Sequence, residues 1–111
     1  MSFNAKKYDK IYKDRTEEIE FISKRLTGKT VLDIGGGTGA ISKALNKKGF
    51  DCWNAEPQKE MAEISRQKGV NTICSSAEKL KTDIKFDNAI MMFDVFNFLE
   101  DPNKVLKNIK F

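Results

Sequence analysis

The chain has 111 residues, a net charge of +4, two cysteines and no histidine. This length accommodates one domain, and the missing histidine excludes Ser-His-Asp and Cys-His nucleophiles and histidine metal sites. Cys52 and Cys74 lack CxxC spacing, so we expect two reduced, buried thiols, no metal site and a cytoplasmic location. The scattered basic residues do not form the clustered stripe of a nucleic-acid-binding protein, so no nucleic-acid partner is expected.

The sequence also argues against a membrane location. No stretch approaches the roughly 20 consecutive apolar residues that a membrane-spanning helix requires. Residues 1–14 are polar and charged, and they lack the apolar segment that a signal peptide needs. We therefore expect neither a membrane partner nor export.

The N-terminal part of the chain has helical spacing. Asp14 followed by Glu17 is typical of a capping pair, and the helix that it opens is expected to end at Gly28. Tyr8 and Tyr12 continue the same spacing upstream, so residues 1–27 are predicted to form an N-terminal helical cap. The buried face of the main helix is predicted to carry Ile19, Ile22 and Leu26.

The remainder of the chain alternates between strand and helix patterns. Apolar runs predict strands at residues 30–34, 50–55, 70–74 and 87–93, and helical spacing predicts helices at residues 40–48, 57–68 and from 101 onward. This order is typical of a parallel α/β sheet with right-handed crossovers. The run DNAIMMF in the fourth strand predicts burial on both faces of the sheet.

A glycine-rich loop follows the first strand in the segment VLDIGGGTG, residues 31–39. A strand that runs into such a loop and then into a helix places backbone N–H groups at the carboxyl edge of the sheet, where ligands of these folds bind. Glycines at positions 35, 37 and 39 would let a ligand approach the backbone where any Cβ would collide. Four glycines in five residues exceed what a tight turn requires.

Nucleotides are the first ligands to consider for such a loop. A triphosphate loop needs GxxxxGK[ST] after the strand, whereas residues 28–30, Gly-Lys-Thr, precede it and lack the upstream glycine. A dinucleotide is harder to dismiss, because Gly35, Gly37 and Ala40 satisfy GxGxxG/A and Glu56 lies where a ribose-binding acid is expected.

Asp33 favours a cationic ligand over a dinucleotide. It stands two residues before the first glycine, so its charge would repel a pyrophosphate at the loop. S-adenosylmethionine carries a sulfonium, an ammonium and one carboxylate, a net charge of about +1 that an acid attracts. The alternative interpretation is that Asp33 is a buried acid bonded to loop amides without a ligand role.

The first two motifs resemble those of class I S-adenosylmethionine-dependent methyltransferases. Residues 31–39 resemble the family's first motif, a hydrophobic strand followed by D-x-G-x-G-x-G. Residues 54–57, Asn-Ala-Glu-Pro, resemble the second motif, in which the acid binds both ribose hydroxyls. One carboxylate can accept from two vicinal hydroxyls, although a helix-capping role for Glu56 is the alternative.

The resemblance continues through the rest of the chain. Residues 74–80 resemble the segment after strand three, where Ser76 stands at a position that is often Asp and contacts the adenine amino group. Residues 86–99 resemble the fourth motif, and Tyr8 and Tyr12 resemble an aromatic pair that closes over the cofactor, with packing on the sheet as the alternative. The cofactor-binding set that this implies is Asp33, Gly35, Gly37, Gly39, Glu56, Ser76, Ala77, Phe93, Tyr8 and Tyr12.

The resemblance implies a Rossmann-like, doubly wound, mostly parallel α/β sheet of strand order 3-2-1-4 with flanking helices. It also implies methyl transfer from S-adenosylmethionine by a domain that residues 1–111 supply in part, with no catalytic residue assigned. Residues 93–96, Phe-Asp-Val-Phe, lack the [DN]-P-P-[YF] of enzymes that methylate DNA bases or glutamine, which favours a small-molecule N or O acceptor.

Because the family's sheet continues beyond strand four, the isolated chain is expected to be incomplete. It should lack transfer activity and should form a homodimer through the open edge of that strand. Cofactor binding without catalysis, in a fragment or a regulatory module, is the main alternative function, and an NAD-binding domain is a weaker one.

Overall fold

The computed structural model of the chain describes residues 16–91. They form three helices and four strands, which alternate as far as the third strand. In chain order they are α1 Thr16–Ser23, β1 Thr30–Ile34, α2 Ala40–Lys47, β2 Asp51–Ala55, α3 Lys59–Gln67, β3 Asn71–Ile73 and β4 Asn88–Met91. The strand–helix alternation expected from the sequence is therefore confirmed over this range.

The four strands form one parallel sheet of order β3-β2-β1-β4. This is the predicted order, and β1 lies in the interior with β2 on one side and β4 on the other. Ile34 pairs with Ala55 and with Met91, and Ala55 pairs with Ile73. Because all strands run in the same direction, their carboxyl ends meet at one edge, and the glycine loop begins there.

Two apolar clusters hold the sheet, one on each face. Alternate residues of a strand point to opposite faces, so Val31 and Cys52 pack with α1 and α2, whereas Leu32 and Ile34 point the other way. The helix-side cluster contains Ile22, Val31, Ile41, Leu45 and Cys52. The opposite cluster contains Leu32, Ile34, Ala55, Ala77, Leu80 and Phe86, so the connection between β3 and β4 covers that face.

The first helix is shorter than predicted. It ends at Ser23 rather than near Gly28, and Arg25 N donates to Ile22 O in a tighter turn, at 2.9 Å. Gly28 has a left-handed φ of 65°, and a Cβ there would overlap the side chain of Asp87. The chain must therefore leave the helix early to reach this close approach to the start of β4. Asp14 and the upstream part of the predicted cap lie outside the described residues.

The fourth strand also differs from its prediction. Its described part is Asn88–Met91, and all four residues are half-buried rather than buried on both faces. Within residues 16–91 this strand pairs with β1 alone, so its other edge carries no neighbouring strand there. The apolar pattern predicted the strand correctly but overstated its burial.

Two polar side chains form hydrogen bonds to the backbone at the amino edge of the sheet. Asp87 Oδ2 accepts from Lys29 N at 2.7 Å and from Thr30 N at 3.1 Å. The Asn88 side chain accepts from Thr27 N at 2.9 Å and donates to Thr30 O at 3.1 Å. These bonds tie the loop before β1 to the start of β4, so Asp87 has a structural role at the edge opposite the glycine loop.

Candidate functional site

The glycine loop follows β1 and lies against the carboxyl end of the neighbouring strand β2. Gly35 N donates to Ala55 O at 2.7 Å, and Glu56 N donates to Ile73 O at 2.9 Å. These bonds extend the parallel ladder by one residue past each strand. The glycine loop, Glu56 and the segment after β3 are thus brought to the same edge of the sheet, as the sequence predicted.

The loop's backbone requires glycine at three positions. Gly35, Gly37 and Gly39 have φ values of 71°, 61° and 81°, in the left-handed region that side chains with a Cβ disfavour. A Cβ at Gly39 would lie 2.5 Å from Ser65 Oγ, and a Cβ at Gly36 would lie 2.5 Å from Asp33 Oδ2. The sequence-based explanation, that glycines 35, 37 and 39 make room for a ligand, is therefore incomplete for Gly39, which makes room for Ser65, and Gly36 likewise makes room for Asp33.

Glu56 holds the loop from the end of β2. Its Oε1 accepts from Gly37 N at 2.9 Å, and its Oε2 accepts from Gln58 N at 2.7 Å. Gln58 is the N-cap residue of α3, so the carboxylate bonds both the glycine loop and the turn that leads into this helix, without capping an amide of the helix itself. The residue is 4% exposed, and burial raises the pKa of its carboxyl while the two backbone donors lower it.

Asp33 is not at the open edge that the sequence analysis expected. It is fully buried on the helix side of the sheet, and its Oδ2 accepts from Ser42 Oγ at 3.1 Å. Ser42 belongs to the first turn of α2, so the carboxylate lies beneath the loop and beside the amino end of that helix. Its burial matches the alternative interpretation, although this bond comes from a serine hydroxyl of α2 rather than from a loop amide.

The segment after β3 places two predicted residues differently. Ser76 Oγ accepts from Lys79 N at 3.3 Å, and the residue is half-buried, so its hydroxyl closes a local turn. Ala77 is 8% exposed and packs in the apolar cluster with Leu80 and Phe86. Its methyl group therefore faces the core and leaves only its backbone for a ligand.

Three predicted cofactor-binding residues fall outside the described part of the chain. Tyr8 and Tyr12 precede it, and Phe93 follows it. Their roles stay predictions.

The sequence analysis missed the polar side chains beneath the loop. Asn54 is fully buried, and its Nδ2 donates to Gly37 O at 2.9 Å and to Ser65 Oγ at 3.0 Å. Asn54 pairs in register with Asp33 on the neighbouring strand. Two polar residues at matching positions of otherwise apolar strands were the available signal, because a buried polar side chain requires a partner.

The two cysteines have different environments. Cys52 is fully buried, and burial raises the pKa of its thiol to about 12. Its Sγ donates to Ser42 Oγ at 3.3 Å, the same hydroxyl that donates to Asp33. Cys74 is exposed, so the prediction that both thiols are buried is wrong for Cys74. The short strand β3 ends at Ile73, before this residue.

Residues 16–91 contain neither a candidate metal site nor a candidate membrane-spanning helix. No group of three or more histidine, cysteine, aspartate or glutamate side chains in this range is placed to hold a metal ion. No helix in the same range is long and apolar enough to cross a membrane.

Comparison with known proteins identifies the family. The profile of a methyltransferase domain family matches residues 5–111. The chain belongs to this methyltransferase family. It is also 32% identical over 112 aligned positions to an uncharacterized protein of Methanocaldococcus jannaschii, covering 96% of this chain and 52% of that protein.

Two further methyltransferases are similar to this chain. A ubiquinone biosynthesis O-methyltransferase of Coxiella burnetii is 26% identical, over 81% of this chain and 42% of that enzyme. A solved SAM-dependent methyltransferase of Thermotoga maritima, described as a possible histamine N-methyltransferase, is 31% identical with a TM-score of 0.69. That match covers 86% of this chain and 46% of the Thermotoga chain. The chain therefore spans about half the length of the relatives it matches.

Proposed function

We propose that the chain binds S-adenosylmethionine at the glycine loop, as part of an enzyme that methylates a nitrogen or oxygen atom of a small molecule. The observation that carries this proposal is the Glu56 carboxylate, which is bonded to Gly37 N of the loop at the carboxyl edge of the sheet. The family assignment supports the reaction type, and the geometry of these residues supports the cofactor.

The Glu56 carboxylate fits a ribose. Each of its oxygens accepts one backbone N–H in the structure, and a carboxylate has about four acceptor positions in all. One position per oxygen is left for a vicinal pair of hydroxyl groups. Since the two backbone donors also fix the orientation of the carboxylate, it is preorganised for this contact.

The Asp33 charge favours a cationic cofactor over a pyrophosphate. In dinucleotide-binding folds the positive amino end of the helix after the first strand attracts phosphate. Here the buried Asp33 carboxylate lies beside that end and is bonded to Ser42, which offsets the positive potential. The acid also acts through the loop, because electrostatic interactions are weakly screened in a buried environment.

S-adenosylmethionine would supply an electrophilic methyl group at this edge of the sheet. The chain's own residues would bind and orient the cofactor, with Glu56 at the ribose and the loop backbone of Gly35, Gly37 and Gly39 beside it. Ser76, the backbone of Ala77, Phe93, Tyr8 and Tyr12 complete the proposed set. Positioning of this kind supplies up to about 7–11 kcal/mol in well-oriented reactions.

The acceptor is proposed at the level of its chemical class. One relative is a ubiquinone biosynthesis O-methyltransferase, and one solved neighbour is described as a possible histamine N-methyltransferase. Both names indicate small organic acceptors with oxygen or nitrogen nucleophiles. The sequence Phe-Asp-Val-Phe at residues 93–96 supports this class, because it lacks the proline pair associated with methylation of DNA bases and glutamine.

Cofactor binding without transfer is the second candidate function. It is favoured by the length relation, since the chain spans 52% of one relative and 42% of another. A transfer assay with small amines and phenols distinguishes the two candidates. Turnover by the 111-residue chain would exclude the binding-only function.

Isothermal titration of the full chain tests the proposed cofactor. We expect S-adenosylmethionine and S-adenosylhomocysteine to bind and NAD to bind more weakly or not at all. Tighter binding of NAD would contradict the proposal, because it would show that the Asp33 charge does not select the ligand.

We also propose that two copies of the chain associate through β4. Within the described residues this strand pairs with β1 alone, so its outer N–H and C=O groups are available for a neighbouring strand. Light scattering over a concentration series should show the mass of a dimer. The buffer should be reducing, as in the cytoplasm, where we propose that the protein is located. A constant monomer mass over that series would contradict this association.

A further inference from the structure

A chain of buried polar side chains supports the glycine loop from the helix side of the sheet. Asn54 and Ser65 are fully buried. The Asn54 Nδ2 donates both to Gly37 O, at 2.9 Å, and to Ser65 Oγ, at 3.0 Å. Ser65 Oγ lies 2.7 Å from Thr72 Oγ1. The loop is thus connected through β2 to α3 and β3.

The hydrogen bonds in this chain run in one direction. Thr72 Oγ1 donates to Val70 O at 2.9 Å, so its oxygen accepts the proton of Ser65. The Ser65 oxygen in turn accepts from Asn54. Both Nδ2 protons of Asn54 are therefore committed, and this fixes which side of the amide faces the loop. Rotation of the amide would place its oxygen against the carbonyl of Gly37.

Two glycines of the loop lie in close contact with these buried side chains. A Cβ at Gly36 would overlap Asn54 Oδ1, and a Cβ at Gly39 would lie 2.5 Å from Ser65 Oγ. Among the described residues, Asn54 Oδ1 has no hydrogen-bond partner, although it is buried directly beneath Gly36. Retaining a buried, unpaired acceptor costs free energy, so the amide is held there by its two donor contacts.

Gly37 is held from both sides as a result. Its N–H donates to Glu56 Oε1 at 2.9 Å, and its carbonyl accepts from Asn54 Nδ2 at 2.9 Å. Asn54 therefore fixes the residue whose amide orients the proposed ribose-binding carboxylate. A loop that lost this contact would have to be ordered at the time of binding, which lowers affinity.

We propose that Asn54 and Ser65 are positioning residues that hold the glycine loop in the conformation that binds the cofactor. This inference rests on the proposed cofactor site, and it adds a requirement for side chains that do not touch the ligand. The Asn54 amide bonds the loop directly, whereas Ser65 acts through Asn54. Asn54→Ala is therefore expected to weaken cofactor binding more than Ser65→Ala.

Calorimetric titration of the full chain with S-adenosylhomocysteine tests this order. Asn54→Ala should weaken binding about fivefold to tenfold, the equivalent of one buried hydrogen bond, and Ser65→Ala about twofold to fivefold. Thr72→Val is the matched control. It removes two hydrogen bonds of the Thr72 hydroxyl group, which lies at the end of the hydrogen-bonded series away from the loop. We expect its affinity to stay within about twofold of the original protein.

Stability measurements separate positioning from folding. Fluorescence of Trp53, the single tryptophan, reports urea unfolding of each variant. Thr72→Val and Ser65→Ala should both lower the midpoint, yet only Ser65→Ala should lower affinity. Equal loss of affinity in these two variants would overturn the proposal, and so would unchanged affinity in Ser65→Ala. The comparison of Ser65→Ala with Thr72→Val therefore tests the positioning role even if Asn54→Ala does not fold.

Amide hydrogen exchange gives a readout that needs no ligand. Asn54→Ala or Ser65→Ala should accelerate exchange at residues 37–39 while leaving the amides of Lys29 and Thr30, at the opposite edge, at their original rates. If the original protein does not bind S-adenosylhomocysteine, the proposed function fails, and the exchange result still tests the support of the loop. Unchanged exchange at residues 37–39 would overturn it.

Discussion

The two edges of the parallel sheet use the same bonding with opposite electrostatic consequences. At the carboxyl edge, Glu56 accepts from Gly37 and Gln58. At the amino edge, Asp87 accepts from the amides of residues 29–30. Burial raises the pKa of Glu56, whereas the backbone donors lower the pKa of the exposed Asp87.

The opposite pKa shifts of Glu56 and Asp87 follow from their different burial and indicate different roles for the two carboxylates. A carboxylate that gains two donors without losing water is stabilised in its charged form, and it strengthens the fold. A carboxylate that is removed from water at the edge where ligands bind is held at a cost to its charged form. Perturbations of this kind are concentrated at functional sites. The bonds of Asp87 therefore connect β4 to the start of β1 at the amino edge, and the carboxyl edge holds the carboxylate that we propose as the ribose-binding group.

The largest expected effect comes from placing a side chain at the carboxyl-edge loop. Gly37→Val should abolish binding of S-adenosylhomocysteine, because a branched Cβ is added where we propose that the ligand approaches the backbone, and the φ of 61° is strained for valine. Gly69→Val is the matched control. It has a φ of 83° and no heavy atom within 4 Å of an added Cβ, and it precedes β3 at the amino edge.

Calorimetry and thermal unfolding distinguish the two glycine variants. Both substitutions carry a strain cost of about 1–3 kcal/mol, so both should lower the melting temperature. Only Gly37→Val should lose binding. Retained affinity in Gly37→Val, or an equal loss in Gly69→Val, would show that the loop is not where the cofactor binds.

The next effect separates the two carboxylates directly. Glu56→Gln should weaken S-adenosylhomocysteine binding by about 1.5–3 kcal/mol, because charged hydrogen bonds to the ribose are replaced by neutral ones. Asp87→Asn should leave affinity unchanged, since its side chain lies at the opposite edge. Calorimetric titration of both variants measures this. Weaker binding in Asp87→Asn than in Glu56→Gln would reverse the assignment of the two edges.

Much of this arrangement could be predicted from the sequence. The apolar run of β1, the glycines at 35, 37 and 39, and the acid at 56 are local signals, and each was placed correctly at the carboxyl edge. The position of the Asp33 side chain was not predictable in the same way. Strand alternation assigns it to a face, but only the packing of α2 shows that this face is covered.

The support beneath the loop was harder to predict, for a physical reason. Asn54, Ser65 and Thr72 are far enough apart in sequence that no short motif contains them, and each taken alone is typical of a surface position. Their proximity depends on the parallel register of β2 and β3 and on the rotation of α3 about its axis. Cys74 was assigned to the interior by its apolar neighbours, but β3 ends one residue earlier.

A smaller effect concerns the pH dependence of the two edges. The Asp87 pKa is lowered from 3.8, so its contribution to stability is present above the unfolded value and is lost as the pH falls through the folded one. The Glu56 pKa is raised from 4.5. Glu56 therefore contributes less to stability as the pH rises from its unfolded value through its raised folded value. The proposed ribose contact should weaken as the pH falls through the raised value, because the carboxylate is then protonated.

Urea unfolding and calorimetric titration over the acid range measure both dependences. The stability difference between the original protein and Asp87→Asn should be present at neutral pH and should shrink as the pH falls below 3.8, the unperturbed pKa of the carboxyl group. Glu63→Gln, which removes an exposed carboxylate of α3 that lies 3.9 Å from Arg66 of the same helix, serves as the control for loss of a surface charge away from both edges. Affinity in Glu56→Gln should lose its acid dependence, and a dependence identical to that of the original protein would assign the titration to another group.

The smallest expected effect concerns the labelling rates of the two thiols, one buried on the helix side of the sheet and one exposed after β3. Cys74 is exposed and Cys52 is buried, with a pKa raised to about 12 by burial. Because the thiolate is the reactive form, a thiol reagent at neutral pH should modify Cys74 at once and Cys52 only when the helix layer opens. Asp87→Asn should accelerate labelling of Cys52, since it weakens the amino edge, and should leave the rate at Cys74 unchanged. Mass spectrometry of peptides from timed samples assigns each rate. Rapid labelling of Cys52 in the original protein would show that α2 does not stably cover this face of the sheet.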